Sequence, residues 1–487
     1  MRIQWVNSAY CKLEVSDDLL RDLIAEYTFR PHGYKFHPKF KAKIWDGYIR
    51  LISRTGSCPV GLVPGVLKYC LSNGHAVAVS DEFKLFGSTL EFSPAELSLP
   101  YIPRDYQLES VDIALTKKRQ TLLLATSAGK SLVIYMLALA YQKNGLKTLV
   151  IVPNVSLVSQ LESDFKDYAS KSDYSIDENC HFISAGVEKS SSKPIVVSTW
   201  QSLQALLKTD AGKAIMESYD AVIGDEVHLF TAAVLGSLMN AASNAFCRIG
   251  LSGTLDKTES SEQTIISHFG PVRRIITAKQ LMDEGYATKA VIKPVILKYS
   301  ETIAKAAKGL PYDDELEVIV KSNKRNRFLT NFANGLKGNS LLLFRFVDKH
   351  AEVVKGMILK EYPDRKVFIV SADTPKTDRE VLRQYVEENT GVIIISTYAL
   401  FSTGISIKNL DNVVFASPTA SSIKVLQSIG RSLRKLEGKE IATIWDIVDD
   451  LRGTKKTPNH LYRHFSQRLT VYNKEGFDVS PTELEFA

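Results

Sequence analysis

Long apolar runs are missing from this chain of 487 residues. No stretch approaches the ~20 apolar residues that a bilayer-crossing helix requires, so no membrane partner is expected. Cysteine is scarce. Its five copies (Cys11, Cys58, Cys70, Cys180, Cys247) are odd in number, scattered, and contain no C-x-x-C pair. That pattern argues against a disulfide framework and a zinc site, and for buried thiols in a reducing, cytoplasmic compartment. The start, Met1-Arg-Ile-Gln-Trp-Val-Asn, lacks a secretory leader pattern. Acid is nearly absent from two short stretches. Residues 30–54 carry Arg30, Lys35, Lys39, Lys41, Lys43, Arg50 and Arg54 against Asp46 alone, a net +6; residues 451–474 carry Arg452, Lys455, Lys456, Arg463, Arg468 and Lys474 with no acid, again +6. The whole chain is only +7. Both runs are interleaved with aromatics (Tyr34, Phe36, Phe40, Trp45, Tyr48; Tyr462, Phe465, Tyr472). Basic groups neutralise phosphates and rings stack on bases, which favours nucleic acid over a plain solvated face. Lys39, Lys41, Lys43 and Arg50 are the candidate DNA contacts there.

The chain is organised around Leu122-Leu-Leu-Ala-Thr-Ser-Ala-Gly-Lys-Ser131. An apolar strand runs into a small-residue turn, then a helical run to Tyr141. Backbone N–H groups of such a turn (Thr126, Ser127, Ala128, Gly129) can wrap a triphosphate, and the helix N-terminus adds positive potential. Lys130 would reach the β- and γ-phosphates of ATP, and the Ser131 hydroxyl would ligate Mg²⁺. The common pattern G-x-x-x-x-G-K-[ST] is incomplete, because Leu124 stands where its first glycine belongs. Taken alone, the string is also compatible with an ordinary helix start that happens to contain Gly-Lys-Ser.

Four regions follow from the hydropathy pattern. Residues 1–95 read as a small basic α+β module, with strands at Arg2–Val6, Lys12–Val15, Lys43–Ser53 and His75–Val79. A helix capped by Ser16 and a helix over Gly61–Leu71 broken near Pro64-Gly65 complete it. Residues 93–103, with three prolines, read as a linker. Residues 96–278 form an α/β domain with buried strands at Thr121–Leu124, Thr148–Val152, Ile195–Ser198, Ala221–Ile223 and Cys247–Leu251. Residues 279–450 form a second, with strands at Ser340–Phe346, Lys366–Val370, Gly391–Ser396, Asn412–Ala416 and Ile441–Ile447. Buried runs alternating with helices indicate doubly wound parallel sheets, with functional residues at the strand C-termini. Residues 451–487 are expected to be a basic helix capped by Asn459, then an acidic, disordered tail.

Asp225-Glu226-Val227-His228 follows a buried strand about a hundred residues after Lys130. One carboxylate must hold Mg²⁺ and its neighbour must orient the attacking water, so Asp225 is assigned to the metal and Glu226 to the water. In Gln427-Ser-Ile-Gly-Arg-Ser-Leu-Arg434, Arg431 and Arg434 share one helix face. Two guanidinium groups so placed can stabilise charge on a γ-phosphoryl group.

With these motifs in order, the chain resembles a superfamily 2 helicase of the DExH type over about residues 100–450. The resemblance implies two tandem RecA-like domains, and it implies Gln107, in Arg104-Asp-Tyr-Gln107, as an adenine contact. Ile151-Val-Pro-Asn154 (with Gln160) and Val197-Ser-Thr-Trp-Gln201 resemble the strand-gripping motifs Ia and Ib, implying Pro153, Asn154, Thr199 and Trp200 as DNA contacts. Ser252-Gly-Thr254 resembles the coupling motif III, and Leu342-Leu-Phe-Arg345 motif IV. Ser396-Thr397 through Ser402-Thr-Gly404-Ile-Ser406 resembles motif V, adding Arg345 and Thr397 on DNA and Gly404 at the nucleotide. Gln427, Arg431 and Arg434 are implied at the γ-phosphate, and His228 is a coupling residue rather than a metal ligand. More narrowly, the basic N-terminal module, Phe401-Ser-Thr-Gly-Ile-Ser406 and Ile441-Ala-Thr-Ile-Trp-Asp446 resemble phage helicases that remodel branched DNA in recombination, repair and replication. Those act by fork regression, Holliday-junction branch migration and R-loop unwinding, which implies branched or duplex DNA or an RNA–DNA hybrid as partner and a monomeric motor in the host cytoplasm. Ser406 stands where Asp is common, and Lys408–Leu426 is too short for a long strand-separating hairpin.

Two other readings remain open on sequence. One is an RNA helicase or a duplex-translocating motor subunit. The other is a nucleic-acid binding scaffold with a vestigial ATPase, against which Lys130, Asp225, Glu226, Arg431 and Arg434 argue.

Overall fold

A computed structural model describes the chain apart from residues 32, 185, 256–258, 404–406, 408, 420, 422–424, 427, 431–440, 455, 457 and 487. It gives the backbone alone at 85, 259–261, 376, 402 and 403. Residues 1–124 with 129–276 make one compact unit, and residues 277–487 with 125–128 a second.

The first unit begins with a four-stranded sheet. Arg2–Trp5 lies between antiparallel Tyr10–Glu14 and parallel Ala78–Val79, and Ser57–Pro59 flanks Tyr10–Glu14. Period-two alternation turns Ile3, Cys11 and Leu13 inward, against Leu19 and Leu23 of helix Asp17–Glu26 and Val66 and Cys70 of helix Val63–Ser72. All five cysteines are free and buried. Ser16 precedes the first helix but makes no side-chain cap. The second helix is not broken at Pro64-Gly65, because Pro64 sits in its first turn, where a missing N–H costs nothing. The expected strand Lys43–Ser53 shrinks to Ile49–Arg50, paired with Thr28–Phe29. Left-handed backbone at Lys43 (φ 56) and Gly47 (φ 84), after a helical turn Pro38–Lys41, diverts the chain from extension.

The seven-stranded sheet of this unit is parallel throughout. Its spatial order is Val272–Ile276, Arg119–Leu124, Cys247–Ser252, Ala221–Gly224, Thr148–Val152, Ile195–Thr199 and Cys180–Ile183. The five inner strands are the five apolar runs read from sequence. The two edge strands were missed because they need not be apolar on both faces; Val272–Ile276 exposes Arg273 and Arg274. Arg248, fully buried, donates to the carbonyls of Met239, Ala242 and Ala245, and so satisfies the C-terminal end of helix Ala232–Ala241. Arg119 donates to the carbonyls of Ser8 and His268, tying the N-terminal module to this sheet.

The second unit carries a further parallel sheet. Val367–Val370, Ile393–Thr397, Ser340–Phe344, Asn412–Phe415, Ile441–Asp450 and Lys289–Tyr299 lie in that order, and Asp478–Val479 and Thr482–Phe486 both pair with Lys289–Tyr299. The eleven-residue strand Lys289–Tyr299 escaped the sequence reading because Pro294 interrupts it. The tail is ordered, contrary to expectation. Phe486 is buried against Tyr299 and Phe328, at ring distances of 5.1 and 5.9 Å, and that anchors an otherwise acidic strand.

Helix His460–Glu475 is capped by Asn459, whose Oδ1 accepts from Tyr462 N at 2.9 Å, and ends at Gly476 with φ 75. Its basic run is not a free cationic face. Arg468 is buried and makes a bidentate pair with Asp446 (2.9 and 2.8 Å), and Tyr472 donates to the same carboxylate at 2.8 Å. Arg452 pairs with Asp450 at 2.8 Å and lies 3.2 Å from the centre of the Tyr462 ring. Both acids precede residue 451, so a count over 451–474 overstates the available charge. Removing one partner of such a buried pair strands the other. Arg468→Leu is therefore expected to cost about 3–5 kcal/mol, read as a lowered midpoint in urea unfolding.

Candidate functional site

Strand Arg119–Leu124 is wholly buried, and helix Lys130–Lys143 begins after a five-residue turn. Leu124 is thus the last strand residue and fills the core, which accounts for the absent first glycine. Inside the turn, which includes Thr126, Ala128 N donates to Ala125 O at 3.0 Å. Ser127 (φ 71) and Gly129 (φ 75) are left-handed, an alternation that points successive N–H groups into one concavity. A second feature favours glycine at 129. A Cβ there would stand 2.5 Å from Gln107 Nε2. Gln107 is 4% exposed; its Oε1 accepts from Arg104 N at 2.9 Å and its Nε2 donates to Gly129 O at 3.3 Å. Its amide thus braces the turn from below.

Asp225 and Glu226 follow strand Ala221–Gly224, two strands away from Arg119–Leu124. Glu226 is left-handed (φ 46, ψ 48), a conformation that costs a non-glycine residue free energy and recurs at functional sites. This turn aims Glu226 at Lys130: Oε1 lies 3.1 Å from Nζ. Oε2 is 3.4 Å from His228 Nδ1 and receives no hydrogen bond. His228 in turn contacts Ser252 Oγ at 2.7 Å. The Ser252 hydroxyl donates its one proton to Thr254 O, so it accepts from the ring and Nδ1 carries hydrogen. Lys130, Glu226, His228, Ser252 and Thr254 therefore form one polar chain across three strand ends. Ser252 and His228 were each singled out in the sequence, but they lie 24 residues apart and nothing local pairs them.

Burial, and then the neighbouring Glu226 carboxylate, push Asp225 up to about 7. Burial also raises Glu226, but Lys130 and His228 outweigh it and hold Glu226 below its ordinary value. Ionised together, the two buried carboxylates would outnumber the lysine beside them, and a divalent cation fits that excess. The Ser131 hydroxyl, the other expected ligand, is 2.8 Å from the Tyr168 hydroxyl. Tyr168 ends helix Val155–Tyr168 and was not anticipated. It packs on Tyr135 (5.5 Å) and Tyr101 (6.3 Å), and Tyr101 donates to Asp167 at 2.9 Å.

The expected DNA contacts of the first unit lie at adjacent strand ends. Asn154 Oδ1 accepts from Leu157 N (3.1 Å) and Thr199 Oγ1 from Ser202 N (3.3 Å), so both side chains cap helices, and Gln201 Nε2 donates to Pro153 O at 3.4 Å. Trp200 packs partly on the core. In the second unit, Arg345 and Thr397 share a cleft with Tyr312, Thr419 and His464. Arg345 pairs with Asp313 at 3.2 Å and lies over Tyr312 at 4.9 Å. Lys39, Lys41, Lys43 and Arg50 are exposed on the N-terminal module, and Arg50 is engaged by Asp46 at 2.6 Å. Gly404, Gln427, Arg431 and Arg434 lie outside the described residues. Among the described residues, no cluster of three or more His, Cys, Asp or Glu suggests a further metal centre, and no helix is long and apolar enough to cross a membrane.

Comparison with known proteins agrees with this arrangement. Residues 1–80 match the family described as DNA helicase UvsW, N-terminal; residues 100–257 match the type III restriction enzyme res subunit; and residues 323–435 match the helicase conserved C-terminal domain. The ATP-dependent DNA helicase uvsW of Enterobacteria phage T4 is 31% identical, over 98% of both chains. A putative helicase, 161L, of Invertebrate iridescent virus 6 is 25% identical over 78% of this chain and 83% of its own. A fragment of a putative HsdR subunit of a type I restriction enzyme from Vibrio vulnificus shares the fold. It aligns at a TM-score of 0.57 and 18% identity, over 86% of this chain and 74% of that one.

The carboxylate pair makes a prediction about the metal-free chain. Asp225 binds its proton more tightly folded than unfolded, so its favourable contribution is complete below about pH 4 and is lost as pH rises through about 7. Asp225→Asn should therefore raise the thermal midpoint in EDTA at pH 8 and do so much less at pH 5. Equal effects at both pH values contradict the charge argument.

Proposed function

The chain belongs to the superfamily 2 DExH helicases, in the group of the phage T4 UvsW helicase, and from that membership we propose that it is an ATP-dependent DNA helicase that remodels branched DNA in the cytoplasm of a host cell. The observation that carries the motor reading is the Lys130–Glu226 contact of 3.1 Å at the mouth of the left-handed turn. A lysine set to meet phosphate oxygens and a carboxylate set to meet water converge there, which a mere binding scaffold has no use for. The basic N-terminal module carries the DNA reading, with Lys39, Lys41, Lys43 and Arg50 neutralising backbone phosphates. Fork regression, Holliday-junction branch migration and R-loop unwinding are the activities we assign to it, as a monomer.

In the proposed cycle the turn 125–129 holds the triphosphate through backbone N–H groups and Lys130 neutralises its outer oxygens. Glu226 exchanges Lys130 for the attacking water, orients it and takes its proton. Its lowered proton affinity keeps it ionised and ready for this. Ser131 and Asp225 are the residues that would hold Mg²⁺, which when bound neutralises charge on the β- and γ-phosphates. Gln427, Arg431 and Arg434 add donors and positive charge at the γ-phosphate, Gly404 lines the nucleotide, and Gln107 is the adenine contact, held beside the loop by its bond to Gly129 O. Through His228 and Ser252 the state of Glu226 reaches Thr254, which lets hydrolysis act on DNA contacts at Pro153, Asn154, Thr199 and Trp200. Arg345 and Thr397 grip the strand from the second unit.

The test is steady-state ATP hydrolysis with no nucleic acid, single strand, linear duplex, RNA, and a four-way junction. Branched DNA is expected to stimulate most; a preference for RNA would transfer the substrate assignment to an RNA helicase. Lys130→Ala should abolish turnover on all of them. Glu226→Gln should lower turnover by a factor of ~10²–10⁴ while nucleotide still binds, since it removes a base and leaves the cradle. Tyr168→Phe frees the Ser131 hydroxyl, so the Mg²⁺ concentration that half-saturates binding of a fluorescent ATP analogue should fall severalfold; an unchanged value would remove Tyr168 from the site.

A further inference from the structure

A hollow of about 450 Å³ lies where the N-terminal module meets the seven-stranded sheet. The module walls it with Val60, Val63 and Leu67 on one side and Phe83 and Phe86 on another, and the sheet with Arg119, Gln120 and Pro271. Beside the hollow the two bodies touch. Gly61, in the turn Val60–Leu62, presses on helix Glu259–Phe269 so closely that a Cβ would stand 2.2 Å from Ile266 O. The hollow is therefore built into a docked interface. Rings stiffen one wall: Phe83 and Phe86 lie 6.2 Å apart, and Trp5 backs them at 5.2 and 5.9 Å. Val79 (46% exposed) and Lys117 stand in water at the rim, which leaves the hollow open to solutes.

Arg119 gives this apolar space its charge. It is 7% exposed, and its guanidinium donates to the carbonyls of Ser8, His268 (3.3 Å) and Ala245 (3.4 Å). Its Nε has no hydrogen-bond partner, and among the described residues no carboxylate pairs with it. Burial lowers its proton affinity, opposed by the thiols Cys247 and Cys11 rather than by an acid. Arg248 is buried close by and is likewise satisfied by carbonyls alone. Burial, and then Arg248 and Arg119, hold the His268 ring neutral, at about 3. Lys117 adds a further positive charge at the rim. A desolvated cation without an anion is unfavourable, and so is an apolar wall facing water. A ligand that joins a carboxylate to an apolar body relieves both at once.

We propose that this hollow binds a small organic carboxylate, with the anionic end beside Arg119 and Lys117 and an alkyl or aryl body between Leu67 and the Phe83–Phe86 wall. Such a ligand touches the module and the sheet together, so it clamps one to the other. Arg119 and Gln120 begin the strand Arg119–Leu124, and the phosphate turn follows its other end, so the site is separate from that of the nucleotide.

The experiment titrates the full chain, without nucleotide or DNA, by calorimetry with octanoate and with naphthoate. Octanol, naphthyl methanol and acetate are the controls. At least one of the two carboxylates is expected to bind with a stoichiometry of one and to raise the thermal midpoint, and the tighter of them identifies the body as alkyl or aryl. The matching uncharged alcohol should bind about tenfold more weakly, since it forgoes the charge-assisted bond, and acetate, which lacks the body, should give no heat. Leu67→Trp fills the hollow while keeping every charge and should abolish binding. Lys117→Gln should weaken the carboxylate severalfold and leave the alcohol unchanged. Arg119→Met should remove the preference for carboxylate over alcohol. Because Arg119 also holds carbonyls of the module, the thermal midpoint of each unliganded variant is measured alongside, and Leu67→Trp and Lys117→Gln decide the matter if Arg119→Met does not fold. Absence of binding by both carboxylates, equal affinity for acid and alcohol, or undiminished binding to Leu67→Trp overturns the proposal.

Discussion

Adjacent carboxylates buried at the end of a strand repel each other, and the first unit is arranged around that repulsion. One lysine, at the start of helix Lys130–Lys143, meets Glu226, and its charge opposes but does not cancel the rise that burial and Glu226 impose on Asp225. The parallel sheet makes the meeting possible, because it brings the C-terminal ends of Arg119–Leu124 and Ala221–Gly224 to one edge. The left-handed backbone of Glu226 finishes the aim. Burial and the neighbouring Glu226 raise Asp225 while Lys130 opposes both, so the charge of the carboxylate pair depends on pH and on what lies beside it.

The polar chain from Lys130 through Glu226 and His228 to Ser252 and Thr254 gives that charge a route outward. The chain is largely shielded from water, with its longest step, 3.4 Å, between Glu226 and His228, so a change of partner at Glu226 is weakly screened at the neighbouring strand end. The same economy governs the buried guanidinium groups of the scaffold. Arg248 closes a helix end, while Arg325 and Arg468 are held bidentate by Asp449 and Asp446. In each case burial is tolerated because the planar fork finds carbonyls or a carboxylate already in place.

The two basic runs of equal charge have opposite fates. In residues 451–474, Arg452 and Arg468 turn inward to acids of strand Ile441–Asp450 and stiffen the second unit. In residues 30–54 the lysines stay in water around a knob whose rings pack on one another and leave Phe36 outside. Composition cannot separate these cases, since each is decided by which acid lies across the fold.

Most inner strands, the Gly-Lys-Ser turn and the Asp-Glu pair were legible in the sequence because each is local. An apolar run, a Gly-Lys-Ser string and an Asp-Glu dipeptide each express themselves within a few residues. Inner strands were readable for the same reason, being apolar on both faces. What escaped needed a partner far along the chain. Tyr168 reaches Ser131 across 37 residues, Ser252 reaches His228 across 24, and Phe486 orders an acidic tail by packing on Tyr299. Lys289–Tyr299 is a strand despite Pro294, because neighbours on both sides hold it extended. Sequence by itself determined which groups were available for the chemistry. Only the tertiary structure decided which of them are charged, paired or left facing water, because electrostatics and burial depend on distance through space.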